Sequence, residues 1–208
     1  MRHLFFDLMG TVLTDPYREA LEAATGLGPE DLDDRRDPSA WPAFERGAID
    51  EDAFAERFFL DGTRLDLATF HRVRRAGYRY LPGMRDLLDE LVDAATLHIA
   101  SNYPVWIDEL RLRFDFDARF AAVWASCHLG VRKPELAFYD GLLTHTGIPA
   151  HEGLFIDDRE VNCVAAERAG LSAHLFTGVD DLRRRLRVEG LVAREPCVDR
   201  ATLPREQR

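Results

Sequence analysis

The chain of 208 residues carries 37 acidic against 27 basic side chains, giving a net charge of −10 and an isoelectric point near 5.2. That balance excludes nucleic acid and anionic membrane as principal partners, because both require a basic surface. With 46% hydrophobic residues there is enough apolar material for one α/β domain, or for a core domain with a small insertion.

The first predicted element is a strand over Leu4 to Phe6, entered directly from Met1-Arg2-His3 without the pattern of a secretory leader. No stretch approaches the ~18 apolar residues that mark a membrane span. A soluble cytoplasmic protein is the expectation. From Pro16 to Tyr80 strand signals vanish and helical spacing takes over, with stripes at Tyr17, Leu21 and Ala24, at Phe54 and Phe58, and at Leu67, Phe70 and Val73. Asp50 stands where the Phe54 stripe needs an N-cap. Pro82-Gly83 marks the return to the core, followed by a helix carrying Leu87, Leu88 and Leu91.

The second half repeats a strand-then-helix rhythm, with strands expected at Thr96–Ala100, Ala121–Ala125, Gly153–Ile156 and Ala173–Phe176. Right-handed crossovers of this kind build a doubly wound parallel sheet, whose crevice opens at the carboxyl ends of the strands. The expected fold is therefore α/β: a doubly wound, Rossmann-like core over residues 1–15 and 82–193, with a small α-helical cap over 16–81. Residues 194–208 are charged and lack an apolar face, so a loosely held tail is expected there. Cys127, Cys163 and Cys197 are too scattered for a disulfide framework or a zinc site and read as reduced and structural.

Four polar clusters fall at the ends of predicted strands: Asp7-Leu8-Met9-Gly10-Thr11, Ser101-Asn102, Lys133-Pro134 and Asp157-Asp158. Any one of them is ordinary loop material. Lys133 stands out further, because it is the only lysine among the 27 basic residues. An ammonium is a compact point charge suited to a tight anion pocket, whereas guanidinium is a wide fork. A composition that drifts to arginine and spares one position suggests that the position needs lysine. The seven histidines show no metal-ligand spacing, and His128 reads as a strand-end residue without a catalytic task.

In this order the four clusters resemble the motif set of the haloacid dehalogenase-like (HAD) hydrolases, and the resemblance covers nearly the whole chain. It implies that Asp7 attacks phosphorus to form an aspartyl-phosphate, supported by Mg²⁺ held by Asp7, the main-chain carbonyl of Met9, and the pair at Asp157 and Asp158. Asp158 is the expected direct ligand, and Asp157 is expected behind it or linked through water. Ser101 would bind phosphate oxygens, Lys133 would neutralise charge shared by phosphate and Asp7, and Gly10, Thr11 and Asn102 would bind substrate, with Thr11 also fixing the turn. Asn102 and Asn162 are plausible supporting hydrogen-bond donors. Trp41 and Arg46 stand as weaker specificity candidates in the helical segment; Tyr17 and Phe44 read as core.

Phosphatases of that family carry a second aspartate two residues after the first, which protonates the leaving alcohol; this chain has Met9 instead. Losing a positioned acid or base removes about 10²- to 10⁴-fold of rate. A Schiff-base route through a cap lysine is excluded because the segment 16–81 contains no lysine. A 2-haloacid dehalogenase needs no proton and no metal, yet the unpaired carboxylates at 157 and 158 would repel its anionic substrate. The leading expectation is a Mg²⁺-dependent phosphatase of a small phosphorylated metabolite. Its alternatives are the dehalogenase-like C–halogen hydrolase and a catalytically weak or inactive phosphate-binding module. Monomer and homodimer stay equally open.

Overall fold

The computed structural model describes residues 2–193, so the expected tail at 194–208 and Cys197 lie outside the described residues. Strands form at β1 (His3–Phe6), β2 (Thr96–Ser101), β3 (Ala122–Ala125), β4 (Gly153–Asp157) and β5 (Ser172–Leu175). Between β1 and β2 come helices α1 (Tyr17–Thr25), α2 (Pro29–Arg35), α3 (Ala40–Glu45), α4 (Glu51–Arg57), α5 (Leu67–Gly77) and α6 (Met84–Leu91). The later helices are α7 (Ile107–Arg113), α8 (Ser126–Leu129), α9 (Leu136–Thr146), α10 (Glu160–Arg168) and α11 (Val179–Val188). No helix among the described residues is long and apolar enough to cross a membrane.

The strands pair in parallel in the order β3-β2-β1-β4-β5, with Leu4 in register with both Leu97 and Leu154. Strand side chains alternate between faces, and both faces of this sheet are apolar. Leu4, Phe6, Leu97, Ile99, Leu154 and Ile156 belong to one cluster, together with Leu87 and Leu88 of α6 and Leu182 and Leu186 of α11. Phe5, Ala100 and Phe155 belong to another, with Phe138, Tyr139 and Leu142 of α9 and Ala165 and Ala166 of α10. Chain order reverses about the central strand β1, so the loops leaving β1 and β4 diverge and open a crevice at their carboxyl ends.

Helices α1 to α5 fill the stretch without strands. Asp50 caps α4 by accepting the Ala53 amide at 2.8 Å, and Asp66 caps α5 through the Thr69 amide at 3.1 Å. Phe44, Phe54, Phe58 and Phe70 interlock there, and Trp106 of the core packs edge-on to Phe44 and Phe54. The chain enters and leaves this segment side by side: Thr14 donates its amide to Arg79 at 2.9 Å, and Leu81 donates to Val12 at 3.0 Å.

Helix α3 is seated on the core at its C-terminal end. Ser126 of α8 donates its hydroxyl to the Glu45 carbonyl at 2.6 Å while accepting the Tyr103 amide at 3.0 Å. Gly47 follows with φ +68°, and a Cβ there would stand 2.7 Å from the Cys127 carbonyl, so this approach is closed to any other residue. His128 departs from the expectation of a strand end. It lies in the short helix α8, which ends at Gly130 in the left-handed conformation, and pairs with Asp108 at 3.5 Å.

Candidate active site

Lys133 is 2% exposed, although it arrives on a loop. Its ammonium donates to Asp7 Oδ1 at 2.7 Å, Asp157 Oδ2 at 2.6 Å and the Ala100 carbonyl at 2.9 Å. All three donors of the amine are thereby engaged. The loop itself is fixed by Asn102, whose amide group donates to the Lys133 carbonyl at 2.9 Å and whose oxygen accepts the Lys133 amide at 2.8 Å. A solvated lysine at a helix start is the ordinary fate of a Lys-Pro loop; this one is a buried counter-ion between two strand ends.

Asp157 is fully buried and has no free oxygen. Its Oδ2 holds Lys133, and its Oδ1 accepts the Asn162 side chain and the Arg159 amide, each at 2.9 Å. Asp158 is exposed and turns towards the Asp7 loop: a Cβ on Gly10 would lie 2.7 Å from Asp158 Oδ2, and Gly10 itself has φ +78°. Glycine is therefore demanded twice at position 10, by conformation and by space. Carboxyl oxygens of Asp7, Asp157 and Asp158 lie within 4.8 Å of one another, a set of hard oxygen donors able to hold a cation.

Burial sets the electrostatics. It pushes the Asp7 carboxyl up to about 7 against the pull of Lys133, with Asp157 adding to the rise. Burial opposes charge on Lys133, but Asp7 and Asp157 outweigh it and hold the amine above its ordinary value. Asp158, although exposed, is raised by the partial desolvation it meets beside the site and by Asp157 next to it.

These groups open into a cavity of about 200 Å³ lined by Asp7, Met9, Ser101, Asn102, Lys133, Asp158 and Asn162 together with Asp15, Tyr17, Trp41, Glu45, Tyr103 and Arg159. Ser101 presents a buried hydroxyl with no protein partner. Buried polar groups are almost always hydrogen-bonded, so a lone hydroxyl on a cavity wall marks a place for an acceptor oxygen. Thr11 is wholly buried in the β1 turn and does not line the cavity. Arg46 is also absent from the lining, because its guanidinium is turned to an ion pair with Glu135. Tyr17 lines the cavity as well as packing against Trp41 at 4.3 Å, whereas Phe44 is core.

The wall contributed from outside the four clusters holds what the sequence reading did not assign. Glu45 is 5% exposed; its Oε1 accepts the Trp41 indole at 2.7 Å, and its Oε2 pairs with Arg132 at 2.7 Å. The available signal was the i, i+4 spacing of Trp41 and Glu45, which places both on one face of a helix.

No family model matches this chain. It is 35% identical over 184 residues to flavin mononucleotide hydrolase 1 of Arabidopsis thaliana, spanning 88% of this chain and 75% of that protein. It is 30% identical over 200 residues to a 5'-nucleotidase of Pseudomonas aeruginosa, spanning 87% of this chain and 86% of that protein. Among solved structures, an HAD family enzyme of Bacteroides thetaiotaomicron, an aspartate-to-alanine variant in complex with magnesium and inorganic phosphate, superimposes with a TM-score of 0.75 at 19% identity. That superposition covers 90% of this chain and 99% of the other.

Proposed function

Because this chain belongs to the haloacid dehalogenase-like hydrolases, we propose that it is a Mg²⁺-dependent phosphatase of small phosphate monoesters, with Asp7 as nucleophile. The observation that carries the reading is the buried Lys133 bridging Asp7 and Asp157, on the wall that also bears the unpaired Ser101 hydroxyl. An ammonium fixed against the attacking carboxylate lets one anion approach another, the central difficulty of phosphoryl transfer to a carboxylate.

Asp7, Asp158 and the Met9 carbonyl are the groups to hold Mg²⁺. Asp157, with both oxygens engaged, fixes Lys133 and the start of α10 instead. The cation supplies charge neutralisation at the phosphoryl oxygens. Asp7 attacks phosphorus, the ester oxygen leaves, and water later cleaves the aspartyl-phosphate. Ser101 donates to a phosphoryl oxygen, and Asn102 keeps Lys133 in position. Residues 1–15 and 82–193 act as the reacting core and 16–81 as the cap that selects substrate.

The relatives suggest the substrate class. One is named for flavin mononucleotide and another as a 5'-nucleotidase, and Tyr17, Trp41 and Tyr103 offer aromatic surface on the cavity wall. A phosphate monoester with a planar ring fits this wall, and flavin mononucleotide and nucleoside 5'-monophosphates are the first compounds to assay. Release of inorganic phosphate in the presence of Mg²⁺, lost in Asp7→Asn, is the expected result. Absence of turnover on these esters and on 4-nitrophenyl phosphate, persisting in Met9→Asp, would sink the proposal in favour of a phosphate-binding module. The acidic set at Asp7, Asp157 and Asp158 disfavours C–halogen hydrolysis of an anionic haloacid.

A further inference from the structure

We propose that Glu45 of helix α3 is the proton carrier of this site, giving its proton to the departing ester oxygen and then accepting one from the water that attacks the phosphoenzyme. This rests on the phosphatase reading above and supplies the group that Met9 cannot.

Glu45 lines the same cavity as Asp7, Met9 and Lys133, from helix α3. Its main chain is tied to the core by the Ser126 hydroxyl at 2.6 Å, and Gly47 holds the following turn against Cys127, so its height above the cavity is fixed. Its Oε1 is oriented by the Trp41 indole at 2.7 Å. Its Oε2 is buried and, although 2.7 Å from Arg132, receives no aligned hydrogen bond, which leaves that oxygen able to carry a proton.

The steps balance. In the first, Asp7 forms its bond to phosphorus, the phosphorus–oxygen bond to the substrate breaks, and the Glu45 proton passes to the leaving oxygen to give an alcohol. In the second, water loses a proton to Glu45 and bonds to phosphorus, the aspartyl bond breaks, and Asp7 and protonated Glu45 are both regenerated with inorganic phosphate. The surroundings favour both forms in turn. Burial raises the Glu45 carboxyl to about 6, while Arg132, the Trp41 indole, Lys133 and Arg159 oppose the rise. Tyr17 also faces it, with its phenol kept neutral by burial, and Asp7, Asp15 and Asp158 share the cavity lining. A carboxyl poised near the working pH transfers protons most effectively.

The test compares esters that differ in their need for a proton, using the full chain with Mg²⁺. For an alkyl phosphate, Glu45→Gln is expected to lower kcat/KM by about 10²-fold or more. For 4-nitrophenyl phosphate, whose leaving group needs no proton, kcat/KM is expected to hold within a few-fold while phosphorylated Asp7 accumulates in the mass spectrum. Arg132→Gln breaks the same ion pair and keeps the carboxyl. It is expected to stay active and to move the alkaline limb of the alkyl-ester profile to higher pH. Should Glu45→Gln misfold by circular dichroism, Glu45→Asp is the substitute, with loss on the alkyl ester and sparing of the aryl ester. Equal loss on both esters without phosphoenzyme, or an Arg132→Gln variant as impaired as Glu45→Gln, overturns the role and leaves a structural latch. A wild-type chain that turns over no ester and forms no phosphoenzyme instead overturns the phosphatase reading itself.

Discussion

The two walls of the cavity are held by opposite means. The sheet wall is closed electrostatically: Lys133 satisfies Asp7, Asp157 and the Ala100 carbonyl, and Asn162 and the Arg159 amide complete Asp157. The helical wall is closed by packing, with Trp41 against Tyr17, Phe44 and Phe54, and a single buried carboxyl, Glu45, that accepts the Trp41 indole and lies in an ion pair with Arg132. Removing one member of the first wall leaves unpaired charge. Removing one member of the second leaves mostly contact area. The difference teaches that, under the proposed reaction, rigidity sits where bonds to phosphorus would change, while apolar surface sits where the rest of a substrate would lie.

That contrast can be broken in order of effect. Asp7→Asn is expected to lower turnover by about 10⁴-fold or more with the melting temperature little changed, since a neutral amide keeps the shape and loses the nucleophile. Lys133→Met is expected to lower folding stability by about 3–5 kcal/mol in denaturant titration, because it strands two buried carboxyls. A result below 1 kcal/mol (~0) would mean water reaches them and the sheet wall is softer than its burial implies. At the seam between the walls, Ser126→Ala leaves the Tyr103 amide and the Glu45 carbonyl without their partner, and about 1–3 kcal/mol is expected.

The smallest expected effect is a pH drift. Glu45 titrates near 6 in the folded chain against an ordinary 4.5, so the folded state binds the extra proton and stability falls as pH rises between those values. Measured against Glu45→Gln, the wild type should lose up to about 2 kcal/mol across that window and then stay level. No drift would show the carboxyl to titrate in the folded chain as it does in the unfolded one.

Asp7, Ser101 and Asp157 were legible because each stands at the end of a strand, and strand ends converge in a doubly wound fold whatever the intervening sequence does. Lys133, expected at a strand end, instead arrives on the loop beyond α8, where Asn102 holds it. The apolar run Leu4–Phe6 delivers Asp7, Thr96–Ser101 delivers its own last residue, and Gly153–Asp157 brings Asp157 to the same edge. Helical spacing likewise exposed the stripes of α1, α4 and α5, and Asp50 caps where a cap was needed. The helical wall was less legible, because which face of a short helix meets the cavity depends on its docking. Trp41 reaches the cavity and Arg46, five residues on, does not; only the seat of α3 on Ser126 and Cys127 decides between them. Glu45 escaped notice for the same reason. His128 was misread because four residues between β3 and Gly130 suffice for one turn of helix, too short for any periodic signal.

The lone lysine has a consequence for anyone wishing to watch this protein work. Its ε-amine is the only one in the chain, and it stands 2% exposed behind two carboxyls. Among side chains, amine-acylating reagents therefore have a single address, closed in this conformation and distinguishable from the α-amine by peptide mapping. The rate at which that amine is acylated measures how often the cavity floor opens to solvent, a clock built into the composition and free of any background from surface lysines.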